Sequence, residues 1–351
     1  MKTIILWVTI AASLAGASMS LSQALAKSDF DDTHNHWAEA SITKAVYHGY
    51  VEGYPNGNFQ PEAAVSRAEF IKMLVAAINP PIVLGTGEWY QPYLKASVNS
   101  GVHQYADFTQ DINGEISRME IIRLIVRAAN SELQKSEITV DDKALVYSAA
   151  KKGLIQGLAE GHLGLNESTS RAQAVSVVER VLRLKDGGVL PVDKTAVELA
   201  ELSMTGTNFM TVLGHPAFKE FPVEYWLGDV GLTVNQITVV DADEDDSKRS
   251  ISTAWGDEKA ERYMLLFQLS WDLCKSQQDI RISDYFQITE SQSNPIQTIG
   301  PEIAAYQESS ATTTTELGVS LTKKQLDEYI ANGGLSYTVA GSNIPLFYSQ
   351  R

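Results

Sequence analysis

The feature that most constrains the fold of this chain is an internal repeat. The dipeptide Ser-Arg occurs at 66/67, 117/118 and 170/171, with spacings of 51 and 53 residues. A glycine precedes each arginine by 17 or 18 residues, and an apolar, helix-like pattern follows it. Repeats of this length are supersecondary units that bury their apolar faces only against one another. The sequence therefore predicts three copies packed around a shared core.

Each copy predicts the same helix–loop–helix unit. The first helix, exemplified by residues 40–48, ends at a glycine that can adopt the left-handed conformation of a helix C-terminus. These glycines are Gly49, Gly101 and Gly153. A turn-rich loop follows, and the second helix begins at the serine of the Ser-Arg pair. Its apolar residues recur at i, i+1, i+4, i+5 and i+8, which indicates a broad buried face.

The starts of the second helices carry complete capping boxes. The pairs are Ser66 with Glu69, Ser117 with Glu120 and Ser170 with Gln173. Each pair satisfies two backbone donors that would otherwise lack partners, so capping explains these residues without any reference to function. Capping does not explain the arginine that follows each serine, because a cation in the first turn opposes the helix dipole.

Two accounts of Arg67, Arg118 and Arg171 follow from this position. In the first, each arginine pairs with a neighbouring carboxylate and lies over the adjoining repeat. In the second, the arginine and the free N–H groups of the helix start form an anion site, presented three times. The two accounts are compatible with each other.

The first copy, FDDTHNHWAEASITKAVYHGYVEGYPNGNFQPEAAVSRAEFIKMLVAAI, resembles an S-layer homology domain. It has an opening segment with Asp and Trp, and a G-x-F-x-P loop at Gly57, Phe59 and Pro61. The family's Thr-Arg-Ala-Glu motif is present as residues 66–69, which read Ser-Arg-Ala-Glu. Two weaker copies follow, so the resemblance covers about residues 28–186.

This resemblance implies a fold and a ligand. The fold is a mainly α, pseudo-threefold trimer of helical repeats, and the ligand is a pyruvylated secondary cell-wall polysaccharide. The implied ligand-binding residues are the three arginines with the capping residues beside them, and the two tryptophans that would line sugar faces. They are Arg67, Arg118, Arg171, Ser66, Glu69, Ser117, Glu120, Ser170, Trp37 and Trp89. Simple packing of the tryptophans between helices is the alternative.

The later copies depart from the family pattern. The loop of copy two, YADFTQDINGEI, lacks G-x-F-x-P. Copy three has Asp141 where the others have tryptophan, and Gln173 where the motif has glutamate. We therefore expect the groove of copy one to be the best preserved and that of copy three to be the most altered.

The predicted domain organisation begins with a signal peptide at residues 1–26. Its apolar run from Ile4 to Ala17 is short for a membrane span, and Ala24-Leu25-Ala26 has the small-x-small form of a cleavage site. An N-terminal membrane anchor is the alternative. The repeats then occupy residues 27–82, 83–136 and 137–186, and a Gly/Pro-containing linker occupies 187–194. An acidic domain of unknown type follows at 195–351.

The formal net charge of −15 is concentrated in the C-terminal half. Residues 27–190 contain 16 Lys and Arg against 20 Asp and Glu, whereas residues 191–351 contain 11 against 23. A nucleic-acid partner is not expected, since phosphate binding requires a basic face. A single cysteine, Cys274, excludes an intrachain disulfide.

The C-terminal half predicts an α+β or mostly β domain. Strands are expected at residues 263–271, 280–288 and 335–341, and a capped helix is expected from Thr322 to Asn332, ended by two glycines. There is no G-x-S-x-G, H-E-x-x-H or phosphate-loop motif. Asp241, Asp243 and Asp245 fit the first ligand positions of a calcium loop, but later positions do not, so a solvated acidic turn is expected and calcium binding is the alternative.

Together these features predict a secreted, non-catalytic protein of the cell surface. Its repeats are expected to attach it noncovalently to an acidic secondary cell-wall polysaccharide, without membrane insertion after signal cleavage and without a cofactor. Its C-terminal domain is expected to serve self-assembly or binding of surface partners. The alternative is a wall-anchored enzyme with an unrecognised hydrolase-type site in that domain. We also expect Arg67→Ala to weaken wall binding without unfolding the repeats.

Overall fold

A computed structural model of the protein describes residues 30–135, 137–243, 261–290, 294–307 and 312–348. The predicted signal peptide at residues 1–26 and Asp245 of the acidic run lie outside the described residues. The chain divides into two compact units. The described part of the N-terminal unit comprises residues 30–155 and 164–191, and that of the C-terminal unit comprises 156–163 and 192–348 apart from the gaps given above. The division after Pro191 lies within the predicted linker.

The N-terminal unit is helical in its described part. Its helices are α1 (Glu39–Tyr47), α2 (Arg67–Ile78), α3 (Gln91–Asn99), α4 (Arg118–Ala129), α5 (Asp142–Lys151) and α6 (Arg171–Lys185). The glycines after α1, α3 and α5 have φ values of 75°, 72° and 69°, as predicted for helix C-termini. The capping boxes at Ser66, Ser117 and Ser170 are all formed, which confirms the predicted starts of α2, α4 and α6.

The apolar stripes of α2, α4 and α6 form the interior of this unit. Fully buried side chains on them include Phe70, Leu74, Ile121, Ile125, Val175 and Val178. These residues occupy positions i, i+1 and i+4 of the predicted stripe, so the periodicity of the sequence correctly identified the buried faces. Helices α2 and α4 each also pack against α6.

Three short extended segments link the starts of these helices in a closed cycle. The N–H of Val65 donates to the carbonyl oxygen of Thr169 at 3.0 Å, the N–H of Ile116 donates to that of Val65 at 2.9 Å, and the N–H of Thr169 donates to that of Ile116 at 3.1 Å. Each helix start is therefore attached to the loops that precede the other two. Because these bonds join residues more than 50 positions apart, they fix the relative placement of the helices.

The C-terminal unit combines helices with antiparallel sheets. Its helices are α7 (Lys194–Thr205), α8 (Phe209–Leu213) and α9 (Lys323–Asn332). The strands are β1 (Val223–Leu227), β2 (Val230–Asp241), β3 (Arg262–Asp272), β4 (Ile280–Arg281), β5 (Phe286–Glu290), β6 (Asn294–Pro295), β7 (Ile303–Ala304), β8 (Thr312–Thr322), β9 (Ser336–Val339) and β10 (Ser342–Pro345). One sheet has the order β1-β2-β3-β8, a second has the order β10-β9-β5-β6, and β4 pairs with β7.

A single hydrophobic core contains side chains from both larger sheets. Phe267 of β3 meets Phe286 of β5 with ring centroids 5.7 Å apart, and Phe286 stacks on Tyr337 of β9 at the same distance. Helix α9 buries Leu326 and Ile330 in this core. The mixed composition confirms a helical N-terminal part followed by a part with extensive β structure.

Most predicted elements of the C-terminal unit are confirmed, and one is wrong. The strands near residues 263–271 and 335–341 and the capped helix ending at Asn332 are present. The predicted strand at 280–288 is interrupted by a 3₁₀ turn at Ile282–Asp284. Ile280, Ile282, Phe286 and Ile288 are all buried. The alternating pattern therefore survives on both sides of the turn, which is why it resembled one continuous strand.

Candidate functional site

The three motif arginines lie at the first position of α2, α4 and α6 and are buried. Arg67, Arg118 and Arg171 are only 4%, 8% and 6% exposed. The anion-site account assumed that the N–H groups beside these arginines are free, but they are not. Those of Arg67 and Ala68 donate to the carbonyl oxygens of Gly114 and Ile112 at 3.0 and 2.9 Å, and the starts of α4 and α6 are bonded in the same way. The assumption of free helix-start donors is therefore wrong.

Arg67 forms a bidentate ion pair with Glu120, the capping glutamate of α4. Its Nε donates to Oε1 at 2.8 Å and its Nη2 to Oε2 at 3.0 Å, while Nη1 donates to the carbonyl oxygen of Asp111 at 3.0 Å. Glu120 also accepts the N–H of Ser117 at 2.8 Å. One carboxylate thus closes a helix cap and neutralises a buried arginine 53 residues away. For Arg67 the structure agrees with the account in which the arginine pairs across adjoining repeats.

Arg171 has a different environment, although it occupies the equivalent position. Its Nε donates to the carbonyl oxygen of Phe59 at 3.0 Å and its Nη2 to that of Glu52 at 2.9 Å. The guanidinium carbon lies 4.6 Å from the ring centroid of Phe59 and 4.7 Å from that of Tyr54. Within the described part of the chain, no carboxylate forms an ion pair with Arg171. The arginine of copy three therefore contacts the best-preserved loop, which belongs to copy one.

Arg118 has charged neighbours of both signs. Its backbone N–H donates to the carbonyl oxygen of Glu167 at 3.0 Å. Burial lowers the pKa of Arg118, and the nearby cation Arg180 lowers it further, while the Glu167 carboxylate opposes the change. Arg67 of copy one pairs with Glu120 of copy two. The residue of copy three that corresponds to Glu120 is the neutral Gln173.

The two tryptophans are on the surface. Trp37 is 64% exposed and Trp89 is 50% exposed, so the alternative that they are packed between helices is wrong. The ammonium group of Lys72 on α2 lies 5.9 Å from the ring centroid of Trp89. An exposed aromatic face beside a cation suits a ligand that has both an apolar face and an anionic group.

In copy three, the position that corresponds to Trp89 and Lys72 is occupied by an ion pair between Arg123 and Asp142. Arg123 of α4 lies five residues after the motif arginine, as Lys72 does on α2. Its Nε and Nη2 donate to the two carboxylate oxygens of Asp142 at 2.9 and 2.6 Å. Asp141, which replaces the tryptophan, accepts the N–H of Lys143 and caps α5. The substitution of tryptophan by aspartate thus exchanges an exposed ring for an N-cap.

Trp37 lines an open groove of about 710 Å³ between α1 and α6. The groove contains the cations Lys44, Arg180 and Arg183, and the hydroxyl groups of Ser41 and Ser176. We name this surface the Trp37 groove. Its positive side chains outnumber its carboxylates, which belong to Glu179 and Asp186.

Glu179 is fixed at one side of the Trp37 groove. The Tyr50 hydroxyl donates to its Oε1 at 2.8 Å, and Nδ1 of His48 lies 3.5 Å from the same oxygen. Burial and the adjacent Glu179 carboxylate raise the pKa of Tyr50 well above its usual range, so this phenol stays a hydrogen-bond donor. Glu179 occupies the position of α6 that Val75 and Val126 occupy in α2 and α4, and its partners account for a carboxylate at this otherwise apolar position.

Sequence reasoning identified Trp37 but missed the cations of this groove. Lys44, Arg180 and Arg183 lie outside the repeated motif, and copy one has Ala76 and Asn79 at the positions that match Arg180 and Arg183. A further constraint comes from Gly188, because a Cβ atom there would lie 2.8 Å from Cγ of Arg183. A helical projection of α1 and α6 gives no sign that their polar faces meet, so the groove depends on tertiary structure.

The acidic run at Asp241, for which calcium binding was the alternative, forms a contact with a lysine. Nζ of Lys323 lies 2.8 Å from a carboxylate oxygen of Asp241 and 2.9 Å from one of Asp243. The ammonium group therefore occupies the position between the two carboxylates. Among the described residues there is no group of three acidic, histidine or cysteine side chains arranged to hold a metal ion. In the same described part, no helix combines the length and apolar character needed to cross a membrane.

Comparisons with known proteins identify one domain family and several relatives. Residues 29–71 match the S-layer homology domain family. The chain is 32% identical to an S-layer protein of Bacillus thuringiensis subsp. finitimus over 128 residues, which cover 34% of this chain and 16% of that protein. It is 27% identical to S-layer protein EA1 of Bacillus anthracis over 222 residues, which cover 57% of this chain and 26% of that protein.

A relative with an enzyme name also matches. The chain is 25% identical to amylopullulanase of Thermoanaerobacterium thermosulfurigenes over 181 residues, which cover 46% of this chain and 10% of that protein. The aligned regions thus span between 10% and 26% of these three relatives. The domain match and the S-layer relatives agree with the sequence resemblance and indicate a location at the cell wall. The protein is a cell-surface protein that carries an S-layer homology domain at residues 29–71.

Proposed function

We propose that this protein is a non-catalytic surface protein whose repeats attach it noncovalently to a pyruvylated secondary cell-wall polysaccharide. In this proposal the three repeats form one pseudo-threefold unit, and the C-terminal unit is displayed for assembly or for binding a partner. The observation that carries the proposal is the Trp37 groove, where an exposed indole lies among three cations.

The closed cycle of backbone hydrogen bonds supports a single three-copy unit. Val65, Ile116 and Thr169 each donate to one member of the cycle and accept from the other. The side chains reinforce this arrangement, because Arg67 bonds to copy two and Arg171 bonds to copy one. A truncated chain with two copies would leave buried donors and acceptors unpaired, which is costly.

The chemistry of the Trp37 groove favours an acidic sugar over a neutral one. A sugar ring presents an apolar face to the indole, and serine hydroxyls can bond its hydroxyl groups. A pyruvyl acetal adds a carboxylate, which Lys44, Arg180 or Arg183 can pair with at low desolvation cost because the groove is open. A neutral sugar would leave this positive charge unused.

The differences among the copies assign roles to the three matching positions. The Trp37 groove and the Trp89–Lys72 pair both combine an aromatic ring with a cation. The third position has no tryptophan, and its cation, Arg123, is paired with Asp142. We therefore assign ligand binding to the first two positions. Of the motif arginines, we assign Arg171 to the ligand, because no described carboxylate neutralises it. Arg67 serves mainly to hold the copies together.

The proposal is tested by sedimenting the full chain with purified cell walls before and after removal of the pyruvylated polymer. Binding should be strong to intact walls and should be lost when the polymer is removed. Trp37→Ala should weaken binding about tenfold, from the loss of ring contact and ordering. Tyr47→Ala is the matched control, because Tyr47 is 66% exposed on the adjacent helix but does not line the groove. Equal binding to both wall preparations would refute the proposal.

A second candidate is a wall-anchored enzyme with a hydrolase-type site in the C-terminal unit. It is favoured by the relative named amylopullulanase, since its alignment shows related sequence within an enzyme. The lone cysteine, Cys274, is exposed and not buried as a structural cysteine would be. Release of reducing sugar or of amino groups from wall fragments by the full chain, abolished by a substitution in the C-terminal unit, would establish this alternative.

A further inference from the structure

A second pocket in the N-terminal unit has a different chemistry from the Trp37 groove. It has a volume of about 580 Å³ and lies between the end of α3, the loop that follows it, and Gln134. None of its lining residues carries a formal charge at pH 7 when the histidine is neutral. We propose that this pocket binds an uncharged saccharide unit, separately from the acidic ligand of the Trp37 groove. We name it the Tyr105 pocket.

The first argument is the set of groups that line the pocket. The side-chain amides of Asn99 and Gln104 offer both donors and acceptors, which is the pattern that sugar hydroxyls require. Tyr105 lines the pocket and is 94% exposed, so its aromatic ring is accessible to a ligand. Aromatic faces of this kind contact the apolar faces of sugar rings. A charged ligand would find no counter-ion among these side chains.

The second argument is a buried histidine with an unmet hydrogen-bonding requirement. His103 lines the pocket and is 8% exposed, and neither of its ring nitrogens has a hydrogen-bond partner within the described part of the chain. Burial lowers the pKa of His103, the Arg127 cation lowers it further and Asp107 opposes the shift, so the ring is neutral near pH 7. A neutral imidazole carries one donor and one acceptor. Both nitrogens are closed to solvent in the free protein, so a ligand hydroxyl, which both donates and accepts, matches either nitrogen once the ring turns toward the pocket.

The third argument is that the pocket is held open by fixed elements. Gly101 has a φ of 72°, and a Cβ atom there would lie 2.1 Å from the carbonyl oxygen of Gln134. The Gln134 amide donates to the carbonyl oxygen of Arg127 at 2.9 Å, and the N–H of Gln104 donates to Asp107 at 2.6 Å. The ring of His103 packs on Phe108 with centroids 4.7 Å apart. These contacts preorganise the walls, which lowers the entropic cost of binding.

The test titrates the full chain with uncharged tetrasaccharides, namely chitotetraose, mannotetraose and maltotetraose, and follows the His103 imidazole signals by NMR. At least one tetrasaccharide should shift these signals in a saturable manner. Tyr105→Ala should weaken that binding at least about fivefold, from the loss of the aromatic contact. His103→Phe, which keeps the packing on Phe108 but removes both nitrogens and the NMR signal itself, should weaken binding as well, as measured by titration calorimetry.

Two controls separate this inference from the proposed wall attachment. Tyr47→Ala removes another exposed tyrosine and should leave the titration unchanged. Trp37→Ala should also leave it unchanged, so a protein that fails to bind the acidic polymer can still bind the neutral probe. The inference is overturned if none of the three tetrasaccharides shifts the His103 signals, or if Tyr105→Ala and Tyr47→Ala behave alike.

Discussion

The ion pair of Arg67 and Glu120 joins copies one and two, and we name it the Arg67 junction. The Arg67 junction and the Trp37 groove use the same residue types in opposite ways. At the junction, one arginine and one glutamate are matched in charge, and their side chains are 5% and 8% exposed. In the groove, three cations face two carboxylates around an exposed indole. The buried pair is matched in charge and closed to solvent, whereas the groove is open and its lining has one more of these cations than carboxylates. The comparison teaches that a repeated arginine motif alone does not locate the binding surface.

The largest expected effect comes from breaking the junction. Arg67→Ala leaves the Glu120 carboxylate buried without its partner, which should lower the free energy of unfolding by about 3–5 kcal/mol. Chemical denaturation followed by circular dichroism measures this loss. Arg123→Ala is the matched control, because its pair with Asp142 is more exposed and should cost about 1 kcal/mol or less. This outcome replaces the sequence-based expectation that Arg67→Ala affects wall binding alone. Equal losses in the two variants would contradict the distinction between the sites.

A second experiment inverts the charge of the groove without touching the junction. Lys44→Glu should weaken binding to the acidic polymer by roughly tenfold or more at low salt, because it converts an attraction into a repulsion. The unfolding midpoint should stay within about 2 °C of the original, since Lys44 is exposed and surface substitutions change stability little. Polymer binding is measured by titration calorimetry at two salt concentrations. Unchanged binding at low salt would remove the groove from the account.

The Arg123–Asp142 pair gives an intermediate case with a defined pH dependence. Its hydrogen bond with Arg123 holds the pKa of Asp142 below the usual value, although partial burial opposes this. The pair therefore adds stability at pH values above the unfolded pKa and loses it as the pH falls through the folded pKa. Between about pH 5 and pH 2 the wild type should lose more stability than Asp142→Asn, by up to about 1 kcal/mol. Parallel curves for the two proteins would show that the pair contributes nothing.

The smallest expected effect tests a buried imidazole that has no hydrogen-bond partner among the described residues. Because the pKa of His103 is lowered in the folded state, chiefly by burial, the unfolded chain binds more protons below its ordinary value of 6.5. Folding stability should therefore fall gradually as the pH drops below about 6.5. His103→Phe should remove this part of the pH dependence, as measured by unfolding midpoints from pH 7.5 to 5. A pH profile identical to that of the wild type would show that His103 does not titrate differently on folding.

The local structure around the helix starts was predictable from sequence because its causes are local. Ser66 and Glu69 are three residues apart, and Gly49 directly follows the helix that it ends. The partner of Arg67 was not predictable in the same way, since Glu120 is brought to it by the cycle of hydrogen bonds around Val65.

Long-range contacts also explain two features that the sequence did not predict correctly, namely the environment of Asp241 and the cations of the Trp37 groove. The acidic run near Asp241 resembled a calcium loop, but Lys323, 82 residues away, supplies the positive charge. The cations of the Trp37 groove come from helices α1 and α6, which sequence periodicity could assign to helices but could not bring together. Residue pattern thus identified the elements and the exposed tryptophan, while tertiary structure determined which charges were neutralised.

The most direct test of the central claim is a calorimetric titration of the full chain with the purified wall polysaccharide, before and after chemical removal of its pyruvyl groups. The account predicts saturable binding to the pyruvylated polymer, at least about tenfold weaker binding after removal, and the same weakening for Trp37→Ala on the intact polymer. Equal affinity for both forms of the polymer, or undiminished affinity in Trp37→Ala, would contradict it.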